Sequence, residues 1–295
     1  MTKKLDLHVH STFSDGRDTV EEIIELAKRS NVDLISLTDH DVVAGVAKIT
    51  KLGKQAGIKV ISGIEISTTY QGEVIHILGY FINVENEELL KFLENVTNEK
   101  KKHFRLELIR LNTNLEKEGR KKIDPDKYIT EDDKYFSLPG VAFYLHKEGV
   151  FDNINDSFDF LEGKLKTPVL SIKPEDAFEI IKKAGGISSL AHSLAPKVSL
   201  RKITNNPKEW DEIISEFKNQ GLDGIECYGS AHSEDEIKTI LEFSKKHDLL
   251  LTAGNDWHGT FEKQEGEDIK RWLPFYTGKF KGVEVSDEIY SHFDI

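Results

Sequence analysis

DLHVHSTFSDG, Asp6 to Gly16, ends a short apolar run with two imidazoles two residues apart and returns a carboxylate, Asp15, five residues later. In an extended chain His8 and His10 project to the same side, because side chains alternate with a period of two. Two nitrogen ligands on one side, followed by a turn carrying a carboxylate, make half of a metal cage. Leu5 to Val9 is the strand that delivers them. The other half has to come from elsewhere in the chain.

Working outward, Thr19 and Glu22 form a capping box for a helix whose apolar face is Val20, Ile23, Ile24 and Ala27. Asp33 to Leu37 is a short buried strand leading into TDHD, Thr38 to Asp41. A second helix spans Val42 to Ala56 and is closed by Gly57. Lys59 to Ser62 is a third strand with Glu65 just past its end, and Glu73 to Phe81 a fourth with His76 inside it. From Val84 to Lys166 the chain is helical, charged and strandless, with helices over Glu87 to His103 and Phe104 to Glu118. This stretch is an inserted subdomain or the middle of a two-domain chain; the strand–helix rhythm then resumes, which favours an insertion. A helix opens at Pro174, the strand Ile187 to Ala191 ends at His192, and Leu222 to Tyr228 is a further strand. A helix capped by Ser233 and Glu236 follows. Leu249 to Ala253 runs into GNDWHG, Gly254 to Gly259, and a last strand lies near Lys281 to Val285.

Strands alternating with helices predict a parallel sheet or barrel. His8, His10, His40, Glu65, His192, Asp256 and His258 all fall at or just past the ends of predicted strands, where a (β/α) barrel assembles its active site. Scattered structural histidines have no reason to collect there. Individually each motif has an ordinary alternative. HVH would suit a surface pair beside a turn, Asp39 or Asp41 a helix N-cap, Glu65 an exposed acid and His76 a satisfied core histidine. Their company is what promotes them.

Composition narrows the class. A 38% hydrophobic content supports a sizeable core, and a net charge of −12 opposes a broad grip on nucleic acid or an anionic membrane. An anionic substrate remains compatible, since bound cations invert the local field. No apolar run approaches the ~18 residues of a membrane span. One cysteine, Cys227, permits no internal disulfide; it reads as a small core residue in a strand. With no signal-peptide core in MTKKLDLHVH, a cytoplasmic protein is expected. His103, His146, His247 and His292 read as structural, as do Trp210 and Trp272, whereas Trp257 could face a substrate base.

Together DLHVHSTFSDG, LTDHD, AHS and GNDWHG resemble the PHP (polymerase and histidinol phosphatase) superfamily of metal-dependent phosphoesterases. The resemblance implies an α/β fold, a distorted (β/α)7 TIM-like barrel, made by residues 1–83 and 167–295. Residues 84–166 would be an inserted helical subdomain acting as a lid. It implies two or three divalent ions. One site would take His8, His10, Glu65 and Asp256, a second Asp15, His40 and His258, and a third would share Glu65 with His76 and His192. HILGYF, AGGISSLAHS, GLDGIECY with His232, and LLLTAGNDWHG look like the bacterial branch acting on nucleoside monophosphates, 3′,5′-bisphosphates or 5′-phosphorylated short RNA. Two departures bear on substrate: SLPGVA, Ser137 to Ala142, stands where that branch has a Gly-Arg-Pro-His-type segment, and Ser193 replaces its usual proline.

Nitrogen and oxygen ligands without thiolate suit Mn, Fe or Zn, which would activate water for in-line attack on phosphorus. Asp15, His232 and Arg17 are the further catalytic candidates. His232 would contact the phosphate or protonate the leaving group, and Arg17 would clamp the phosphate. An exposed histidine before a helix and a solvated loop arginine are their plain alternatives. The expected partner is a small phosphorylated substrate, a nucleotide or short RNA. Histidinol phosphate or another small phosphomonoester keeps the mechanism and changes the substrate. A metal-dependent amidohydrolase and a non-catalytic PHP module that binds metal are the remaining alternatives; the TDHD and GNDWH blocks fit the former poorly, and filled ligand positions count against the latter.

Overall fold

The computed structural model describes residues 3–129, 138–166, 170–196, 198–259 and 280–294. Strands β1 (Lys3–Val9), β2 (Leu34–Leu37) and β3 (Lys59–Tyr70) run parallel. β4 (Glu73–Tyr80) is antiparallel to β3 and to β5 (Ile187–Leu190), after which β6 (Gly224–Tyr228) and β7 (Leu250–Ala253) resume the parallel direction. A short β8 (Val283–Val285) lies antiparallel on β1, giving the order β7-β6-β5-β4-β3-β2-β1-β8.

β1 has its outer edge divided between two partners. β8 covers Lys3 to Leu5, while the segment after β7 covers the other end: His10 N–H donates to Trp257 O at 2.7 Å and Trp257 N–H to His8 O at 3.0 Å. These two bonds bring the last parallel strand back to the first and nearly close the sheet into a barrel. The α/β barrel expected from the sequence is the observed architecture.

Helices α1 (Val20–Arg29) and α2 (Val46–Ala56) follow β1 and β2. α1 starts on the Thr19–Glu22 capping box, and α2 ends on Gly57 in the left-handed conformation. β3 and β4 are joined by a hairpin instead. Gln71 and Gly72 both have positive φ, the backbone of a two-residue turn. The third strand therefore continues to Tyr70, and Glu65 sits inside it instead of past its end. Gly63 lets it pass: a Cβ there would lie 2.1 Å from Ser36 Oγ.

α3 (Glu87–Lys117) is one continuous helix of 31 residues where two were expected. No Pro or Gly interrupts it, and Leu89, Leu93, Val96, Lys100, Phe104, Leu108, Leu111 and Leu115 form a single buried stripe at helical spacing. Its two halves serve different cores. Leu89 and Leu93 pack with Phe178, Ile181 and the barrel isoleucines, whereas Phe104, Leu108 and Leu111 pack with Val141, Leu145 and Phe158. The second cluster is built with α4 (Pro125–Tyr128), α5 (Leu138–Lys147) and α6 (Ile154–Leu161). α7 (Pro174–Lys183), α8 (Pro207–Gln220) and α9 (Glu234–His247) follow, with α10 (Asp287–Ser291) after β8. α8 and α10 were not anticipated from the sequence. Among the described residues no helix is long and apolar enough to cross a membrane.

Candidate metal centre

β1 delivers His8 and His10 at its end, fully buried. The loops after β2, β5 and β7 bring His40, His192, and Asp256 with His258, while β3 and β4 contribute Glu65 and His76 from within the strands. Asp15 returns on the turn after β1. All nine expected ligands converge. His8, His10, Glu65 and Asp256 form one group whose ligand atoms lie within 4.8 Å of one another; His10, Asp15, His40 and His258 form a second; His40, Glu65 and His76 a third. His192 Nε2 joins the third group at 3.2 Å from Glu65 Oε1 and 3.3 Å from His76 Nδ1. His10 and His40 each serve two groups, which the sequence did not indicate.

The residues fit metal ions on two counts. Among the described residues, His8 Nε2, both ring nitrogens of His10 and Glu65 Oε2 are buried with no hydrogen bond, a costly state for polar atoms lacking another partner. Yet they crowd together. His8 Nε2 is 3.2 Å and His10 Nε2 3.1 Å from Asp256 Oδ1, and each lies 3.3 Å from a Glu65 oxygen. Ligands on ~2.1 Å bonds sit about 3.0–3.4 Å apart along a coordination polyhedron. The atoms are aimed past one another, at common centres.

Electrostatics agree. Burial disfavours a charged imidazole, but Asp256, Glu65 and Asp15 outweigh it and push His10 up to about 10. His8 is likewise raised, against burial, by Glu226, Glu65 and Asp256. Burial works against the charges of Glu65, Asp256 and Asp15 too, yet the surrounding imidazoles hold all three below the usual carboxylate range. At His40 burial prevails and lowers it to about 4. Protons on imidazoles thus balance the acids where divalent cations would do so.

The supporting shell is where sequence reasoning fell short. Glu226, inside β6, takes His8 Nδ1 at 3.0 Å on one oxygen and the His192 N–H at 2.6 Å on the other. That partner makes His8 the tautomer with Nε2 open to a metal. His258 Nδ1 does the same against Asp256 O at 2.9 Å. Asp6 accepts from Asn255 N–H and Nδ2 at 3.0 and 2.8 Å, pinning GNDWHG to β1. An acid inside an otherwise apolar strand was the available signal for both Asp6 and Glu226. Asp39 accepts from Ser11 and Ser14, and Asp41 from Ser67, so the TDHD acids tie strands and loops together. Neither caps α2, whose N-cap, Gly45, carries no side-chain bond. His192 and Asp256 have φ of 29° and 53°, left-handed backbone that is uncommon for non-glycine residues.

Arg17 stands at the rim. Its N–H donates to His258 O at 2.9 Å and its guanidinium lies 4.4 Å over the ring of Phe143, from α5. His232 is not the exposed histidine of the plain alternative. It is buried, Nδ1 donates to Cys227 O at 3.1 Å, and Nε2 accepts Leu194 N–H at 3.3 Å. Both nitrogens hold backbone groups, and so brace the loop after His192. Trp257 is also corrected: its ring is 1% exposed, donates to Asp18 at 2.9 Å and packs on Phe280, so it faces no substrate. Burial raises the Cys227 thiol to about 12, in keeping with a core residue. Trp272 lies outside the described residues.

Comparison with known proteins points the same way. The PHP domain model matches residues 6–218. A 5'-3' exoribonuclease of Haemophilus influenzae is 30% identical over 263 residues, spanning 88% of this chain and 91% of that one. A 3',5'-nucleoside bisphosphate phosphatase of Chromobacterium violaceum is 27% identical, covering 90% of each. The solved structure of a Bifidobacterium adolescentis protein described as a metal-dependent phosphoesterase aligns with a TM-score of 0.77 over 98% of this chain and 95% of that one; at 24% identity it speaks for the fold. With a matched region running from the first strand through α8, and the site residues in place, the chain belongs to the PHP domain family of metal-dependent phosphoesterases.

Proposed function

We propose that this protein hydrolyses phosphomonoesters of nucleotides, or of short 5′-phosphorylated oligonucleotides, in the cytoplasm, using two or three Mn, Fe or Zn ions. The carrying observation is the trio of overlapping ligand groups on one buried floor. His8, His10, Glu65 and Asp256 would hold one ion, Asp15, His40 and His258 with His10 a second, and Glu65, His76 and His192 a third. When bound, such ions supply Lewis acidity toward phosphoryl oxygens and water acidified towards neutrality. The chain's own residues do the rest. Glu226 and the Asp256 carbonyl orient imidazoles, and Arg17 offers a guanidinium for a substrate phosphate at the rim. Residues 84–166 act as a lid over the barrel of 1–83 and 167–295; the Arg17–Phe143 stacking is the contact that supports this.

Similarity to the exoribonuclease and the bisphosphate phosphatase favours nucleotide substrates. Phosphate release by Mn²⁺-reconstituted protein tests the reading. The panel holds AMP, 3′,5′-adenosine bisphosphate, a short 5′-phosphorylated oligoribonucleotide, histidinol phosphate and p-nitrophenyl phosphate. Preference for the nucleotides is expected; activity confined to histidinol phosphate or the generic ester would overturn the substrate assignment.

A further inference from the structure

Lys100 is the basic member of the buried stripe of α3, with Val96 one turn before it and Phe104 one turn after. It sits where the helix passes from one apolar core to the other and is 3% exposed. Its ammonium donates to the Asp41 carboxylate and to Ser67 Oγ, the latter at 2.9 Å. A lysine so placed loses hydration that only its partners replace.

Those partners border the metal groups. The Asp41 carboxylate also accepts Ser67 N–H at 2.8 Å and Ser67 Oγ–H at 2.9 Å. Asp41 N–H donates to Glu65 O at 2.8 Å, and Asp41 has a φ of 54°. The neighbouring His40 bridges Glu65 as an extra strand pair, its Nδ1 2.9 Å from Glu65 Oε2. One carboxylate thus fastens the peptide after His40 to the strand that carries Glu65, and α3 supplies its counter-charge.

We propose that Lys100 is a positioning residue for the metal centre: from the inserted helix it holds Asp41 against Ser67, and so sets His40 against Glu65. The proposal rests on reading His40 and Glu65 as ligands, and the experiment separates the two claims. Mn²⁺ dissociation constants, by chelator competition, and bound-metal content are measured for wild type, Lys100→Met, Ser67→Ala and His40→Ala. Lys100→Met is expected to weaken the most labile ion about 10–100-fold, the range for outer-shell partners of ligands. Ser67→Ala, which keeps the ion pair, weakens it less, and kcat falls in both while KM holds. Should Lys100→Met fail to fold, Lys100→Gln, which keeps a donor toward Asp41 but not the charge, takes its place. Wild-type Mn²⁺ binding in the folded Lys100 variant, with His40→Ala losing an ion, overturns the positioning role; a lowered Tm alone then marks a brace. Unchanged binding in His40→Ala removes the ligand reading and the proposal together.

Discussion

Glu226 Oε1 lies 3.0 Å from His8 Nδ1, both side chains buried, and its second oxygen holds the His192 N–H. One carboxylate therefore aligns ligands from β1 and from the loop after β5. Glu226→Gln keeps the shape, but its amide cannot accept from both partners at once. Bound-metal content and kcat should fall about 10–100-fold, with cooperative unfolding retained. Undiminished metal binding in this variant would remove the tautomer argument.

His10 belongs to two groups, so its loss should empty more than one position. His10→Ala is expected to abolish phosphate release while circular dichroism still shows a single cooperative melt. Wild-type-like turnover would sink the metal assignment.

Metal uptake should carry a pH signature. Because His10 in the metal-free protein is raised to about 10, it is protonated at neutral pH and must lose that proton to ligate. Calorimetry in buffers of different ionisation enthalpy should show proton release at pH 7.5, and affinity should tighten about tenfold per pH unit for each proton displaced. Stability of the metal-free protein follows the same sign. The His10 contribution is fully present below pH 6.5 and lost as pH rises through about 10, so its Tm should decline over that window. Glu65, Asp256 and Asp15, held low, contribute in the opposite sense: their share is present above the ordinary carboxylate range and lost on acidification.

Arg17 touches the rim without belonging to a ligand group. Arg17→Met should raise KM for a nucleotide substrate about tenfold, equal to ~1.4 kcal/mol of binding, and leave metal content untouched. Steady-state kinetics beside metal analysis decides it; an unaltered KM would return Arg17 to a packing role on Phe143.

Gly254 is a steric requirement. A Cβ there would fall 2.3 Å from His8 Cβ and 2.6 Å from His8 N. Gly254→Ala should therefore cost roughly 1–3 kcal/mol as an overpacked site does, seen as a lower denaturation midpoint.

The clustering of the candidate ligands was legible because HVH, TDHD and GNDWHG each place polar atoms beside strand ends. Glu65 and His76 were promoted only by the company of the other candidates, since an acid or a histidine inside a strand has ordinary explanations. The hairpin between β3 and β4 was missed as a continuation because Gln71-Gly72 is a weak turn signal beside Asn-Gly or Asp-Gly. α3 was cut in two since its charged run, Glu99 to His103, hides the apolar stripe passing through Lys100. Lys100 itself was unreadable. Nothing in a run of lysines says which one turns inward; only the packing of α3 across two cores decides that. The surroundings of His232 were hidden for a related reason, because a loop histidine near predicted ligands gives no hint that both nitrogens meet backbone groups.

The continuity of α3 has a bearing on how such a protein diversifies. At ~1.5 Å per residue the helix is about 46 Å long, and its first half, through Lys100, belongs to the barrel. Among the described residues, Phe104, Leu108 and Leu111 pack into an apolar cluster separate from the barrel core. A graft joined just after Lys101 would exchange that whole cluster while keeping every ligand and the Lys100–Asp41 pair. Drift or recombination in the distal half can thus remodel that cluster without renegotiating the residues of the candidate metal floor.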